Sequence, residues 1–130
     1  VVNPESRADP VLSVLSRHLL LVWIEGSEAH TEELIRRFDR APKPMAYQPQ
    51  FLARVWAEYL ETHDLTEEAV DPDAFIRWTY AQALAHRQPR YEAMARHWGV
   101  TVPAAEMAAV RSPADFDTVI GTALERRAAS

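Results

Sequence analysis

Apolar positions recur at helical spacing along most of the chain, and short stretches break that rhythm. Residues 19–24 read Leu-Leu-Leu-Val-Trp-Ile, bounded by His18 and by Glu25-Gly26-Ser27. An unbroken apolar run of this length predicts a strand buried on both faces, with continuation of the preceding helix as the alternative. Val100-Thr101-Val102 is β-branched and predicts another strand, after Gly99 stops a helix. Val1-Val2-Asn3-Pro4 reads like the tail of a strand whose start is missing, which suggests a processed chain or a fragment.

The remaining apolar positions fall on helices. Asp9 caps a short one, with Pro10 first and Val11, Val14, Leu15 and His18 on one face. Ser27 opens the next, with acids in its first turn, Arg36, Arg37 and Arg40 in its last, and Leu34, Ile35 and Phe38 as its stripe. Ala41-Pro42-Lys43-Pro44 breaks that helix and forces an extended segment. Phe51, Leu52, Val55, Trp56, Tyr59 and Leu60 mark an amphipathic helix over residues 48–62.

An acidic connection over residues 63–72 follows. Asp71 or Asp73 then caps the longest helix, which carries Phe75, Ile76, Trp78, Thr79, Ala83 and Leu84 and is expected to bend near Pro89. Pro103 starts a short helix over residues 104–110. Ser112-Pro113-Ala114-Asp115 starts the closing one, with Phe116, Val119, Ile120 and Leu124 as its buried face and a frayed, mobile tail over residues 126–130. Strands separated by helices, with no hairpin turns, predict an α/β fold with helices around a short parallel sheet. An all-α helical bundle is the alternative if residues 19–24 are helical.

Composition narrows the function classes. At 130 residues, 48% of them hydrophobic, the chain is expected to form a single globular domain. Its net charge of -5 disfavours non-specific nucleic-acid binding. The absence of cysteine excludes disulfides and thiolate metal sites. No apolar run reaches the ~18 residues of a membrane span, and the N-terminus lacks signal-peptide regions, so a soluble cytoplasmic protein is expected.

Candidate chemistry is carried by cations. Arg36, Arg37, Arg40 and Lys43 sit at a helix end leading into the proline segment, where arginine forks suit phosphate or carboxylate oxygens and last-turn arginines also serve as caps. Arg87, Tyr91 and Ala95 share one helix face by their spacing of four, with Arg90 on a neighbouring face. Arg87 can grip an anionic group in bidentate fashion, or lie over apolar surface. His18, His30, His63, His86 and His97 form no zinc-type spacing. With three glycines (Gly26, Gly99 and Gly121) the chain holds no phosphate-cradling loop and no GxxxxGK[ST] pattern.

The order of these features resembles the C-terminal half of shikimate kinase and its P-loop kinase relatives. The likeness rests on the run at residues 19–24, the segment Arg40-Ala41-Pro42-Lys43-Pro44 at the place of the lid, Arg87-x-x-x-Tyr91-x-x-x-Ala95, and the strand at residues 100–102. It covers roughly residues 10–128 in order of elements, through short motifs. The resemblance implies a phosphotransferase using ATP and magnesium. Arg40 and Lys43 would be lid cations against the nucleotide, and Arg87, with Arg90, would anchor a small anionic substrate. By the resemblance, the family's Walker A loop and the strand that carries it would lie upstream of Val1, and productive ATP binding needs them; Val1-Val2-Asn3 would be the remnant of the strand before the family's glycine-rich substrate segment, which is itself absent.

Two other classes stand beside this one. Trp56, Tyr59, Trp78 and Tyr80 could form the core or the partner groove of a helical interaction module. Ala95-x-x-x-Gly99-Val100-Thr101 also resembles the turn of a helix-turn-helix, although the following helix carries Glu106 and one terminal arginine, Arg111, which makes DNA a poor partner. A sheet edge left unpaired would allow a homo-oligomer.

Overall fold

Glycine and proline punctuate the chain in the computed structural model, which describes residues 2–4 and 6–130. The elements run α1 (Pro10–His18), β1 (Leu21–Glu25), α2 (Glu28–Arg40), α3 (Pro49–His63), a 3-10 turn (Glu67–Ala69), α4 (Pro72–Trp98), β2 (Gly99–Pro103), α5 (Ala104–Ala108) and α6 (Pro113–Ala129). The strands pair in parallel, from Leu21 opposite Gly99 to Glu25 opposite Pro103. Helices with a short parallel sheet are therefore observed, and the extended residues of β1 remove the all-α alternative. β2 occupies the position of the expected helix-turn-helix turn, so that motif does not form there. No described helix is long and apolar enough to cross a membrane.

Contacts divide the chain into two compact units, Val1–His30 with Arg87–Ser130, and Thr31–His86. The first holds the sheet. Its entry is set by Asp9, whose carboxylate accepts from the N–H groups of Val11 and Leu12 at the start of α1, and from Asn3 N–H at 2.7 Å. Leu12 turns inward, 2% exposed, whereas Val11 and Val14 face water. The expected face of α1 is thus rotated: the cap anchors the first turn, and with it Leu12, beside the preceding segment. Val2 and Asn3 lie outside any strand, contrary to expectation, and Val1 lies outside the described residues.

The Asp9 carboxyl is held below the usual aspartate range, first by the Asn3 N–H and then by those of Leu12 and Val11. A carboxyl with a lowered folded pKa adds stability that is complete above its unfolded pKa of about 4 and is lost as pH falls through the folded value. Asp9→Asn should lower the thermal midpoint at neutral pH and flatten its decline in acid. Midpoints measured across the acid range test this; parallel curves for the two proteins would contradict it.

β2 is the buried strand. Val100 and Val102 pack with Ala123 of α6, and Met107, Val119 and Ile120 close around them. β1 does not meet the expectation of burial on both faces, since Val22 is 36% and Ile24 51% exposed. Among the described residues its one strand neighbour is β2; α6 packs on β2, and α5 touches both strands. In α6 the buried residue is Ala123, while Phe116 and Leu124 are exposed. Close approach of a helix to a strand selects the small side chain and leaves larger ones at the flanks.

The tail expected to fray is helical to Ala129. Arg126 Nη2 donates to both carboxylate oxygens of Glu106, at 2.8 and 2.9 Å. Arg127 donates to the carbonyls of Ala95, His97 and Gly99, capping the end of α4. Gly99 does end α4, but no glycine has a positive φ, so its role is not a left-handed cap.

In the second unit, Phe38 stacks on Tyr80 with centroids 4.0 Å apart. Val55 and Tyr59 of α3 are buried, and Tyr59 meets Phe75 and Trp78 edge-on at 5.3 Å each. Trp56 meets Phe75 at 5.0 Å. These aromatics pack against one another, with Phe38 and Tyr59 buried and Trp56, Phe75, Trp78 and Tyr80 half-buried. Asp64, in the left-handed region with φ 51°, closes α3 by donating its N–H to Leu60 and Glu61 carbonyls. α4 continues through Pro89 as a helix.

Candidate ligand cleft

Because β1 and β2 are parallel and in register, their carboxyl ends finish side by side at Glu25 and Pro103. β1 turns through Gly26 and Ser27 into α2, and β2 runs directly into α5. The two turns diverge and leave a cleft of about 510 Å3 at the strand ends, where ligands enter open α/β sheets. Glu25, Ser27 and His30 supply its polar groups, and Pro103, Ala104 and Ala108 its apolar wall.

Local structure explains the polar edge. Ser27 Oγ accepts from the backbone N–H of His30 at 3.2 Å, as a capping residue does. Gly26 lets the imidazole of His30 lie against it, since a Cβ there would come within 2.7 Å of the ring. Among the described residues no lysine or arginine lines the cleft. A carboxylate acceptor, a hydroxyl, an imidazole and small apolar surfaces suit a flat uncharged group with N–H donors. They do not suit a phosphate.

The residues singled out from the sequence are divided between the units. Arg40 and Lys43 belong to the unit of residues 31–86, and Arg87 and Arg90 to the sheet unit. Arg40 reaches the Glu33 carboxylate at 3.5 Å, as Arg37 does at 3.0 Å and Arg36 at 3.7 Å. The Arg37 hydrogen bond, helped by the Arg36 and Arg40 charges, holds the Glu33 carboxyl below its usual range. All these side chains are solvent-exposed, so the pairs stabilise α2 weakly. Lys43 borders a separate cavity of about 480 Å3 within its own unit.

Arg90 donates to the Val2 carbonyl at 3.4 Å. Arg87 is half-buried and makes no hydrogen bond or ion pair among the described residues. It lies one helical turn before Tyr91, which with Met94, Ala95 and β1 lines a shallow apolar cavity of about 280 Å3. His97 accepts from Arg7 Nε at 3.3 Å. Desolvation, and then the charges of Arg7 and Arg96, hold its pKa below the ordinary histidine value. Among the described residues no group of three or more His, Asp or Glu side chains is placed to hold a metal ion.

Glu25, Ser27 and His30 were missed as site residues by sequence reasoning. The usable signal was a strand passing through Gly-Ser into a helix, combined with a second parallel strand ending at Pro103. No protein-family model, curated protein or solved structure matches the chain.

Proposed function

We propose that the chain forms the lid and substrate-arginine part of a phosphotransferase resembling the small-molecule P-loop kinases. The observation that carries this reading is the cleft at the shared carboxyl ends of two parallel strands whose crossover is a largely helical insert. In it, the cleft takes the base of a nucleotide: Glu25 accepts from an exocyclic amine, and Ala104 and Ala108 supply apolar contact. Arg87, without a hydrogen-bond or ion-pair partner among the described residues, is the group available to an anionic substrate. Arg40 and Lys43 keep the role of lid cations that the resemblance implies. A cytoplasmic location accords with a nucleotide ligand, and the free edge of β1 is where a second copy could add.

The residues fit a nucleotide base but not its phosphates. The chain has three glycines and no glycine-rich loop, and its described residues offer no magnesium-binding cluster. When bound, the nucleotide would supply the transferable phosphoryl group. This chain's residues would bind, orient and neutralise charge, which is most of the protein's task in phosphoryl transfer.

Intact mass and N-terminal sequencing of the protein isolated from its own cells test this reading. An upstream extension carrying a glycine-rich loop that ends in Lys-Ser or Lys-Thr is expected. In that protein Arg87→Ala should lower ATP turnover about a hundredfold. A natural start at or near Val1, or turnover indifferent to Arg87, would overturn the proposal.

A further inference from the structure

We propose that the unit of residues 31–86 carries a binding site for a small apolar zwitterion, of the class of amino acids with a branched or aromatic side chain. The site is the cavity of about 480 Å3 between the proline segment and the first turns of α3 and α4. Its size falls in the range of small-molecule pockets. It uses none of the cleft residues and shares Lys43 alone with the phosphotransferase reading.

Three observations converge there. The first is an apolar body: Met45, Leu52, Phe75 and Ile76 line the cavity, and Met45, Leu52 and Ile76 are about two-fifths exposed. In the same unit Val55 and Tyr59 are fully packed, so the opening is local.

The second is Thr79, on the cavity wall and 1% exposed. Its Oγ1 is shielded from solvent and has no hydrogen-bond partner among the described residues. A threonine inside a helix ordinarily bonds the carbonyl four residues back. Thr118 and Thr122 of α6 do so, at 3.1 and 3.0 Å. Thr79 does not; its Oγ1 is closed off as placed, and rotation about χ1 to the other threonine rotamer would turn this unsatisfied hydroxyl toward the cavity that the side chain lines.

The third is the rim, whose charged groups are Lys43 and Asp73. They form no ion pair with each other among the described residues. A simple anion gains Lys43 but meets Asp73, and a simple cation meets the reverse. A zwitterion places its carboxylate at Lys43 and its ammonium at Asp73, leaves its side chain to the apolar wall, and offers a carboxylate oxygen to the Thr79 hydroxyl once that side chain has rotated.

Calorimetric titration of the whole chain tests this with L-leucine and L-phenylalanine, each beside its deaminated acid and its decarboxylated amine. At least one amino acid should bind saturably, and its acid and amine about tenfold more weakly. Lys43→Met should reduce the amino acid to the level of the amine, and Asp73→Asn to the level of the acid. Thr79→Val, which keeps the shape of the side chain, should weaken it several-fold with the circular dichroism unchanged. Equal binding of all three chemistries, no saturable binding of any, or binding indifferent to Lys43 and Asp73 would overturn the proposal.

Discussion

Gly99→Val is expected to break the pairing of β1 with β2. A side chain at residue 99 would meet Leu21, its register partner, with Cβ atoms 2.8 Å apart and the Leu21 carbonyl oxygen closer still. The obstacle is strand backbone, not the end of a flexible side chain, so the ladder itself must move. Gly99 is buried, and Arg127 donates to its carbonyl, which leaves little room for rotation. Overpacking of this kind costs about 3 kcal/mol, a large share of the roughly 5–15 kcal/mol that holds a domain folded. A lower urea midpoint and lost hydrogen-exchange protection over residues 22–24 are the expected readouts. An unchanged midpoint would mean that the strands are not in this register.

Tyr59→Ala should have the largest effect in the other unit. The Tyr59 ring meets His63 at 4.2 Å and both Phe75 and Trp78 at 5.3 Å, so its removal takes the shared neighbour from three aromatic contacts. Truncating a buried aromatic costs about 3–5 kcal/mol, because the surroundings close only partly over the cavity. Near-ultraviolet dichroism and proteolysis within residues 31–86 should report loosened packing. Tyr59→Phe, which keeps the ring, should change them little. Similar stability of the alanine and phenylalanine variants would contradict this account of the core.

Local signals were legible in the sequence because their partners lie within a few residues. Asp9 bonds Val11 and Leu12, and Ser112 bonds Asp115, as Asx-Pro and Ser-Pro helix starts predict. The β-branched residues 100–102 became β2 for a similar reason. Burial was less legible because it depends on what packs against an element. The apolar run of β1 carries no record of how many neighbours it has, and Ala123 is buried because α6 approaches β2 closely. Phe116 and Leu124, more hydrophobic, lie off that line of approach.

The candidate site shows the same division. The arginines stand out in sequence by charge and spacing, yet Arg36, Arg37 and Arg40 share one glutamate, and Arg90 holds a backbone carbonyl. Glu25, Ser27 and His30 carry no motif. They become a constellation only because two strands distant in sequence end together.

The most direct measurement is an amide nuclear magnetic resonance titration of the whole chain with adenosine, and in parallel with inorganic phosphate. The cleft at the strand ends predicts saturable shifts for Gly26, Ser27, His30 and Ala104 with adenosine, weakened in Glu25→Gln, and none there with phosphate. Adenosine shifts that spare these residues, or phosphate shifts of equal size at them, would contradict the assignment of the cleft to a nucleotide base.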